Sequence, residues 1–125
     1  MTTEGKDSQT LRQPAVAGRF YPGDPAQLGQ EVESFLVGES PKPAVGVMVP
    51  HAGYVYSGGV AGKVFASVEV PDSVIVLCPN HTGRGVAIAV ANRGAFAIPG
   101  GRLPVDEELA DAILEAAPSA RANMD

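Results

Sequence analysis

Residues 44–51 have the sequence Ala-Val-Gly-Val-Met-Val-Pro-His, an apolar run that ends at Pro50 and His51. A run of this length without polar alternation is typical of a strand that is buried on both faces, as in parallel sheets. Residues 73–77, Ser-Val-Ile-Val-Leu, form a second such run, and His81 follows it after a short turn. Each of the two predicted strands therefore has a histidine just beyond its carboxyl end.

Three amphipathic helices are predicted around these strands. The first has Asp24 as its N-cap and Pro25 at its first position, and its apolar stripe should end at Gly38. Ser57 is the predicted N-cap of the second helix and Asp106 that of the third. Glycines within the second helix lower its intrinsic propensity, so we expect tertiary packing to hold it.

Shorter segments complete the predicted fold. Residues 85–91 predict a third strand, and residues 95–98 predict a short fourth strand after a turn at residues 92–94. Residues 1–13 are polar and aperiodic, which predicts a flexible N-terminal arm, and residues 14–23 predict an ordered loop that opens the domain of residues 14–125. The order of elements predicts an α/β fold, with a layered, largely parallel sheet flanked by helices.

Length, charge and cysteine content exclude several classes of protein. A chain of 125 residues, 45% of them hydrophobic, suits one domain with a core. The net charge of −5, with no basic run, argues against a nucleic-acid partner. No apolar run approaches the roughly 20 residues that span a membrane, so we expect no membrane association and a cytoplasmic location. A single cysteine, Cys78, excludes an internal disulfide.

The two histidines are the main candidate functional residues. In open α/β sheets, ligands bind outside the carboxyl ends of the strands, so adjacent parallel strands would bring His51 and His81 to one cleft. Converging imidazoles, completed by a carboxylate or thiolate, form sites for iron, copper or zinc. The alternative is that both histidines are turn residues whose rings hydrogen-bond to nearby carbonyl groups.

Four other side chains each have two interpretations. Cys78 could be a nucleophile paired with a histidine, or a small apolar residue at the end of a buried strand. Ser57 could be a nucleophile, but it lacks the Gly-x-Ser-x-Gly elbow, and the helix N-cap explains it better. Tyr54 and Tyr56 either line the predicted cleft or cover the edge of the sheet. The pattern favours the structural role for Cys78 and Ser57 and leaves both tyrosines open.

Four segments resemble the Memo family, whose prokaryotic members are known as AmmeMemoRadiSam system protein B. They occur in order along the chain, at residues 12–22 (RQPAVAGRFYP), 50–58 (PHAGYVYSG), 79–85 (PNHTGRG) and 106–110 (DEELA). The family is similar to class III extradiol dioxygenases, which are non-heme iron enzymes with an α/β fold. The resemblance therefore implies a cleft centred on a metal.

The resemblance also implies roles for individual residues. His51 and His81 match the two metal-coordinating histidines of the family, and Tyr54 and Asn80 would line the cleft. The further ligand is a cysteine in the second half of the family domain. Cys78 is not that cysteine, because it stands where the family usually has glycine. The implied cofactor is iron or copper, and redox or dioxygenase-like activity is implied for the full-length form. The alternative is a non-catalytic protein that holds a peptide or small molecule in the same cleft.

The match to the family ends with the third predicted helix, and family members are longer. The resemblance thus implies an incomplete half of a larger, extradiol-dioxygenase-like domain. Strands arranged for a larger sheet would expose an edge and an apolar face. We therefore expect poor solubility or self-association through the exposed sheet edge.

Overall fold

The computed structural model describes residues 10–123, which fall into two compact units. One unit comprises residues 14–76, and the other contains residues 10–13 and 77–123 of the described chain. Three helices and five short strands lie within the described residues. In chain order these are β1 (Leu11–Arg12), α1 (Pro25–Phe35), α2 (Tyr54–Ala66), β2 (Ala89–Val90), β3 (Ala95–Ile98), β4 (Gly101–Pro104), α3 (Glu107–Ala116) and β5 (Arg121–Ala122).

The unit of residues 14–76 is built on the packing of α1 against α2. Phe35, the last residue of α1, lies against Gly58 and Gly62, and a side chain at either glycine would overlap atoms of Phe35. Both glycines are buried and lie four residues apart, so they share one face of α2. The glycines that lower the helix propensity of α2 are therefore the ones that let α1 approach it closely.

Two of the three predicted N-caps are confirmed. The Asp24 carboxylate accepts the backbone N–H of Gln27 at 2.9 Å, and the Asp106 carboxylate accepts that of Leu109 at 3.0 Å. Each bond satisfies an N–H group that has no partner within the first helical turn. The short polar side chain before each apolar stripe was therefore a sufficient signal for the start of α1 and α3.

Two other predicted helix boundaries are wrong. α1 ends at Phe35 rather than at Gly38, because Leu36 leaves the helical conformation with φ −77° and ψ +64°. The second helix begins at Tyr54, with Gly53 as its N-cap, so Ser57 lies inside α2 and does not cap it. A glycine N-cap carries no side chain that could be recognised in the sequence.

The two predicted buried strands at residues 44–49 and 73–77 are also wrong. Neither segment forms a strand, and Val45, Met48 and Val76 are 112%, 93% and 77% exposed. Pairing begins with a parallel bridge between Lys42 and Val68 but does not continue. In that register the next amide donor on the side of Val68 would come from residue 71, which is a proline and has no N–H group. Apolar composition alone does not supply a hydrogen-bonding partner.

The second unit contains the strands and α3. β3 pairs in parallel with β1 and antiparallel with β4, while β2 and β5 form a separate parallel pair. The predicted strand at residues 95–98 is confirmed, and it joins β4 through a tight turn in which Gly100 has φ +86°. The predicted strand at residues 85–91 is reduced to Ala89–Val90. Within the predicted N-terminal arm, Leu11–Arg12 form β1, and residues 1–9 lie outside the described residues.

The predicted α/β class is confirmed at this level, as three helices with small mixed sheets. The expected layered, largely parallel sheet is not what the described residues form, because the strands are short and divided between a three-stranded mixed sheet and a two-stranded parallel sheet. The buried hydrophobic residues of the described chain are few and small, namely Ala95, Ala110 and Ala120.

Candidate functional site

A cavity of about 370 Å³ lies within the unit of residues 14–76. Its volume is within the range of about 300–1,000 Å³ that is common for small-molecule pockets. The walls are mainly apolar and come from the 16–21 loop, from α1, from residues 49–52 and from α2. His51 and Tyr54 both line it, so the structure brings together two of the four predicted site residues.

Tyr54 lies between aromatic neighbours on the cavity wall. Its ring centroid is 5.6 Å from that of Tyr21 and 6.0 Å from that of Phe35, which it meets edge-on. Burial raises the pKa of the Tyr54 phenol, and the charges of Tyr21 and Glu31 raise it further. The phenol therefore keeps its proton across the physiological range and remains a hydrogen-bond donor.

Backbone hydrogen bonds hold the segment that carries His51. The N–H of Tyr54 donates to the carbonyl oxygen of Phe20 at 2.8 Å, which joins the start of α2 to the 14–23 loop. The N–H of Ala52 donates to the side-chain oxygen of Ser57 at 2.9 Å. The 14–23 segment is thus an ordered loop, as predicted, and the backbone that follows His51 is held by hydrogen bonds at Ala52 and Tyr54.

His81 lies in a turn that Asn80 organises. The Asn80 side-chain oxygen accepts the N–H of Thr82 at 3.1 Å and that of Gly83 at 2.9 Å, and its nitrogen donates to the carbonyl oxygen of Arg84 at 2.8 Å. Gly83 has φ +68°, a conformation that favours glycine. The described contacts of Asn80 therefore shape the loop that carries His81.

The predicted site residues fall into both units. His51 and Tyr54 belong to the unit of residues 14–76, whereas Asn80 and His81 belong to the other. Each histidine is exposed and lies on a loop rather than after a strand, because the predicted strands before them do not form. The convergence of both imidazoles on one cleft stays a prediction.

The donor set for a metal ion is incomplete in the described chain. Within residues 10–123, no three His, Cys, Asp or Glu side chains are grouped in a way that could hold a metal ion. Cys78, expected at the end of a buried strand, is exposed. The imidazoles of His51 and His81 are ligands that iron and copper accept, but a complete site requires at least one further donor.

Ser57 also lines the cavity, although its sequence context predicted a helix N-cap. It is 5% exposed, and its hydroxyl oxygen reaches back to Ala52, the residue after His51. A serine within the first helical turn has the same sequence signature whether it caps the helix or bonds to the preceding loop. The deciding signal is the preceding glycine, because an N-cap at Gly53 places Ser57 inside the helix.

Comparison with known proteins identifies the family. The profile of the Memo-like protein family matches residues 12–125. The chain belongs to the Memo family. It is 41% identical to a MEMO1 family protein of Methanothermobacter thermautotrophicus, with 83% of this chain and 42% of the relative covered. It is 43% identical to a MEMO1 family protein of Aquifex aeolicus, with 84% of this chain and 40% of the relative covered.

The match to these Memo relatives covers most of this chain but less than half of theirs. The chain thus spans about two-fifths of the length of the curated relatives it matches. Within residues 10–123, none of the helices has the length and apolar character needed to cross a membrane.

Proposed function

We propose that this Memo-family chain supplies His51 and His81 as two ligands of a mononuclear iron or copper site in the full-length protein. The third ligand would be a cysteine outside the sequence described above, as the family resemblance implies. Bound in this way, the metal would supply redox or dioxygenase-like chemistry. The residues of this chain would bind the metal, orient the imidazoles and form an apolar wall beside it.

The observation that carries this proposal is the placement of His51 at the edge of the apolar cavity. Metal-centred redox sites use apolar surroundings to control solvent access and local dielectric. The cavity combines such walls with one imidazole and one protonated phenol, and its volume of about 370 Å³ leaves room for a small substrate. A turn histidine that only bonds to a carbonyl group would need no adjacent cavity.

The loop around His81 supports the same role for the second imidazole. The Asn80 side chain hydrogen-bonds to Gly83 and Arg84, which follow this histidine, and so closes the turn that carries the ring before any ligand binds. A ligand held on preorganised backbone loses less conformational entropy when the metal binds.

Elemental analysis of untagged protein tests the proposal. We expect iron or copper in the wild-type full-length protein and a strong loss in the double variant His51→Ala, His81→Ala. The 125-residue sequence has only two histidines, so an affinity tag of histidines would hide the effect and must be removed. Cys78→Ala is the matched control, because it removes an exposed thiol that is not among the proposed ligands and should leave the metal content unchanged.

Two outcomes would contradict the proposed ligand set. Equal metal content in the wild-type protein and the double-histidine variant would reject both imidazoles as ligands. Loss of metal in Cys78→Ala, at the level of the double variant, would place the thiolate in the site instead.

The cavity also supports a second candidate function, namely non-catalytic binding of a small molecule or an apolar peptide side chain. Its walls are largely apolar, and the Tyr54 hydroxyl is a donor that could orient a carbonyl oxygen. Acetophenone, an apolar ring with one carbonyl acceptor, is a suitable probe for saturation-transfer NMR.

The two candidate functions differ in which substitutions they tolerate. For a binding protein, acetophenone should still bind His51→Ala but not Ala61→Leu, whose larger side chain would fill the cavity that Ala61 lines. Tyr54→Phe should weaken binding by roughly fivefold, the value of one net hydrogen bond. Equal binding by Ala61→Leu and the wild-type protein would exclude the cavity as the site.

A further inference from the structure

The Ser57 side chain makes a hydrogen bond that helix α2 itself does not require. Its oxygen accepts the N–H of Ala52 at 2.9 Å, from a residue that is 5% exposed. The N-cap of α2 is Gly53, and its first-turn N–H groups receive no side-chain cap. The Ser57 hydroxyl therefore does not stabilise the helix end but holds the loop that precedes it.

The helix that carries Ser57 is well anchored. Gly58, the next residue, is buried against the ring of Phe35, and Gly62 is buried against the Phe35 backbone one turn later. The Ser57 N–H also donates within the helix, to the carbonyl oxygen of Gly53 at 3.0 Å. Ser57 thus connects the 50–52 loop to a fixed point on the α1–α2 packing.

The residues on both sides of His51 are restrained by different means. Pro50, before it, has its φ angle fixed by the pyrrolidine ring. Ala52, after it, is held by its hydrogen bond to Ser57. The imidazole is therefore attached to backbone with little freedom on either side, which is what a metal ligand at the edge of a cavity requires.

We infer that Ser57 is a positioning residue for His51, which fixes the Pro50–Ala52 backbone so that the imidazole is held at the cavity. This inference rests on the proposed function, in which His51 is a metal ligand. Ser57 does not contact the metal in this arrangement and acts only through the loop.

Three variants separate this role from a general effect on folding. Ser57→Ala removes the hydroxyl oxygen that accepts the Ala52 N–H. Ser57→Thr keeps a hydroxyl oxygen at the same position. Ser67→Ala is the matched control, because Ser67 is the C-cap of the same helix and its hydroxyl donates to Val64 within that helix end.

The first measurement uses the untagged, metal-free 125-residue protein and needs no metal site. Amide hydrogen exchange and NMR signals of the His51 ring report the loop directly. In Ser57→Ala we expect exchange of the Ala52 amide to accelerate by tenfold or more relative to the amides of α2, and the His51 ring signals to broaden or shift. Ser57→Thr should restore both readouts, and Ser67→Ala should change neither.

The second measurement is Cu(II) affinity of the full-length protein by calorimetry. Loss of partners that orient a ligating histidine typically lowers metal affinity by about 10- to 100-fold. We expect a loss of about tenfold or more in Ser57→Ala and wild-type affinity in Ser67→Ala.

The outcomes distinguish the positioning role of Ser57 from the proposed metal-ligand role of His51. An unchanged Ala52 exchange rate and unchanged His51 ring signals in Ser57→Ala would overturn the inference. A loosened loop with unchanged Cu(II) affinity would also overturn it, because Ser57 would then be only a structural residue. If His51→Ala itself leaves Cu(II) affinity unchanged, the proposed function fails, and the His51 ring signals alone decide whether Ser57 positions this residue.

Discussion

The Tyr54 ring joins three parts of the candidate site. It contacts Tyr21 in the 14–23 loop and Phe35 at the end of α1, and it is the first residue of α2. Such a position combines aromatic packing with a polar atom at the cavity wall. The environment that packs the ring is also the cause of the raised pKa of its phenol.

The raised pKa of Tyr54 predicts how stability depends on pH in the alkaline range. The folded state holds the Tyr54 proton more tightly than the unfolded state does. The resulting contribution to folding stability is complete below the unfolded pKa of about 10, and it is lost as pH rises through the folded pKa. Tyr54→Phe should therefore show a shallower loss of stability above about pH 10. Urea unfolding at a series of alkaline pH values measures this.

The control for this prediction is Tyr56→Phe. Tyr56 is 83% exposed and lies in the same helix. Tyr56→Phe should leave the alkaline loss of stability unchanged. An equal change in both variants would contradict the assignment of this loss to Tyr54.

A second residue-scale prediction concerns the ion pair between Arg93 and Asp111. Arg93 donates to both carboxylate oxygens, at 2.8 and 3.0 Å, and this hydrogen bonding lowers the pKa of Asp111. The stabilisation is present above the unfolded pKa of about 4 and is lost as pH falls through the lowered value. Arg93→Ala should raise the Asp111 pKa towards its ordinary range, as measured by carboxyl NMR titration.

Arg93→Lys provides the comparison for this pair. A lysine keeps the positive charge but cannot make the two-bond contact, so the Asp111 pKa should lie between those of the wild-type protein and Arg93→Ala. A pKa that does not respond to either substitution would show that the ion pair does not form in solution.

At the scale of elements, α2 shows why helix propensity and packing must be separated. Gly59 has open space around its Cα, whereas Gly62, in the same helix, lies against the backbone of Phe35. Gly59→Ala should stabilise the folded protein by about 0.5–1 kcal/mol, because alanine has the higher helix propensity. At Gly62 the same substitution should cost about 1–3 kcal/mol, because α1 must move to admit the methyl group.

Urea unfolding of the two alanine variants tests this difference directly. Each variant is the control for the other, since both replace a glycine of α2 by the same residue. If Gly62→Ala were as stable as Gly59→Ala, the close approach of Phe35 to α2 would be incorrect.

The helices and strands also differ in how well the sequence alone predicted them. The starts of α1 and α3 were predictable because Asp24 and Asp106 satisfy helix ends locally, within three residues of their partners. The strands at 44–49 and 73–77 were not, because a strand depends on a distant partner, and Pro71 interrupts the only register that begins between these segments in the described chain.

The candidate site likewise contains residues that the sequence predicted and one whose role depended on the backbone path. His51 and Tyr54 were predicted as site residues, and the structure places both on one cavity. Ser57 was assigned to the wrong role, because its contact with Ala52 depends on where α2 begins. A hydroxyl that bonds across a helix start is set by the backbone path, which the residue types near it do not specify.

At the scale of the whole molecule, the segments 44–49 and 73–76 leave apolar side chains exposed in the unit of residues 14–76. Val45 is 112% exposed, and Met48, Val74 and Ile75 are exposed as well. These segments are rich in β-branched residues, and their backbone is outside any strand. Such segments can pair with the equivalent segment of another molecule.

Self-association of the 125-residue chain is therefore the expected result at this scale, with a second copy as the partner. Light scattering should give a mass above the 12.8 kDa of one chain, and the excess should grow with protein concentration. Val45→Lys should reduce this excess mass, because a charge on an exposed strand-forming segment opposes pairing.

Val37→Lys is the matched control for this prediction. Val37 is 62% exposed but lies outside both segments, so a charge there should leave the association unchanged. Equal reductions in both variants would point to net charge rather than pairing of residues 44–49, and a concentration-independent mass of one chain would exclude self-association.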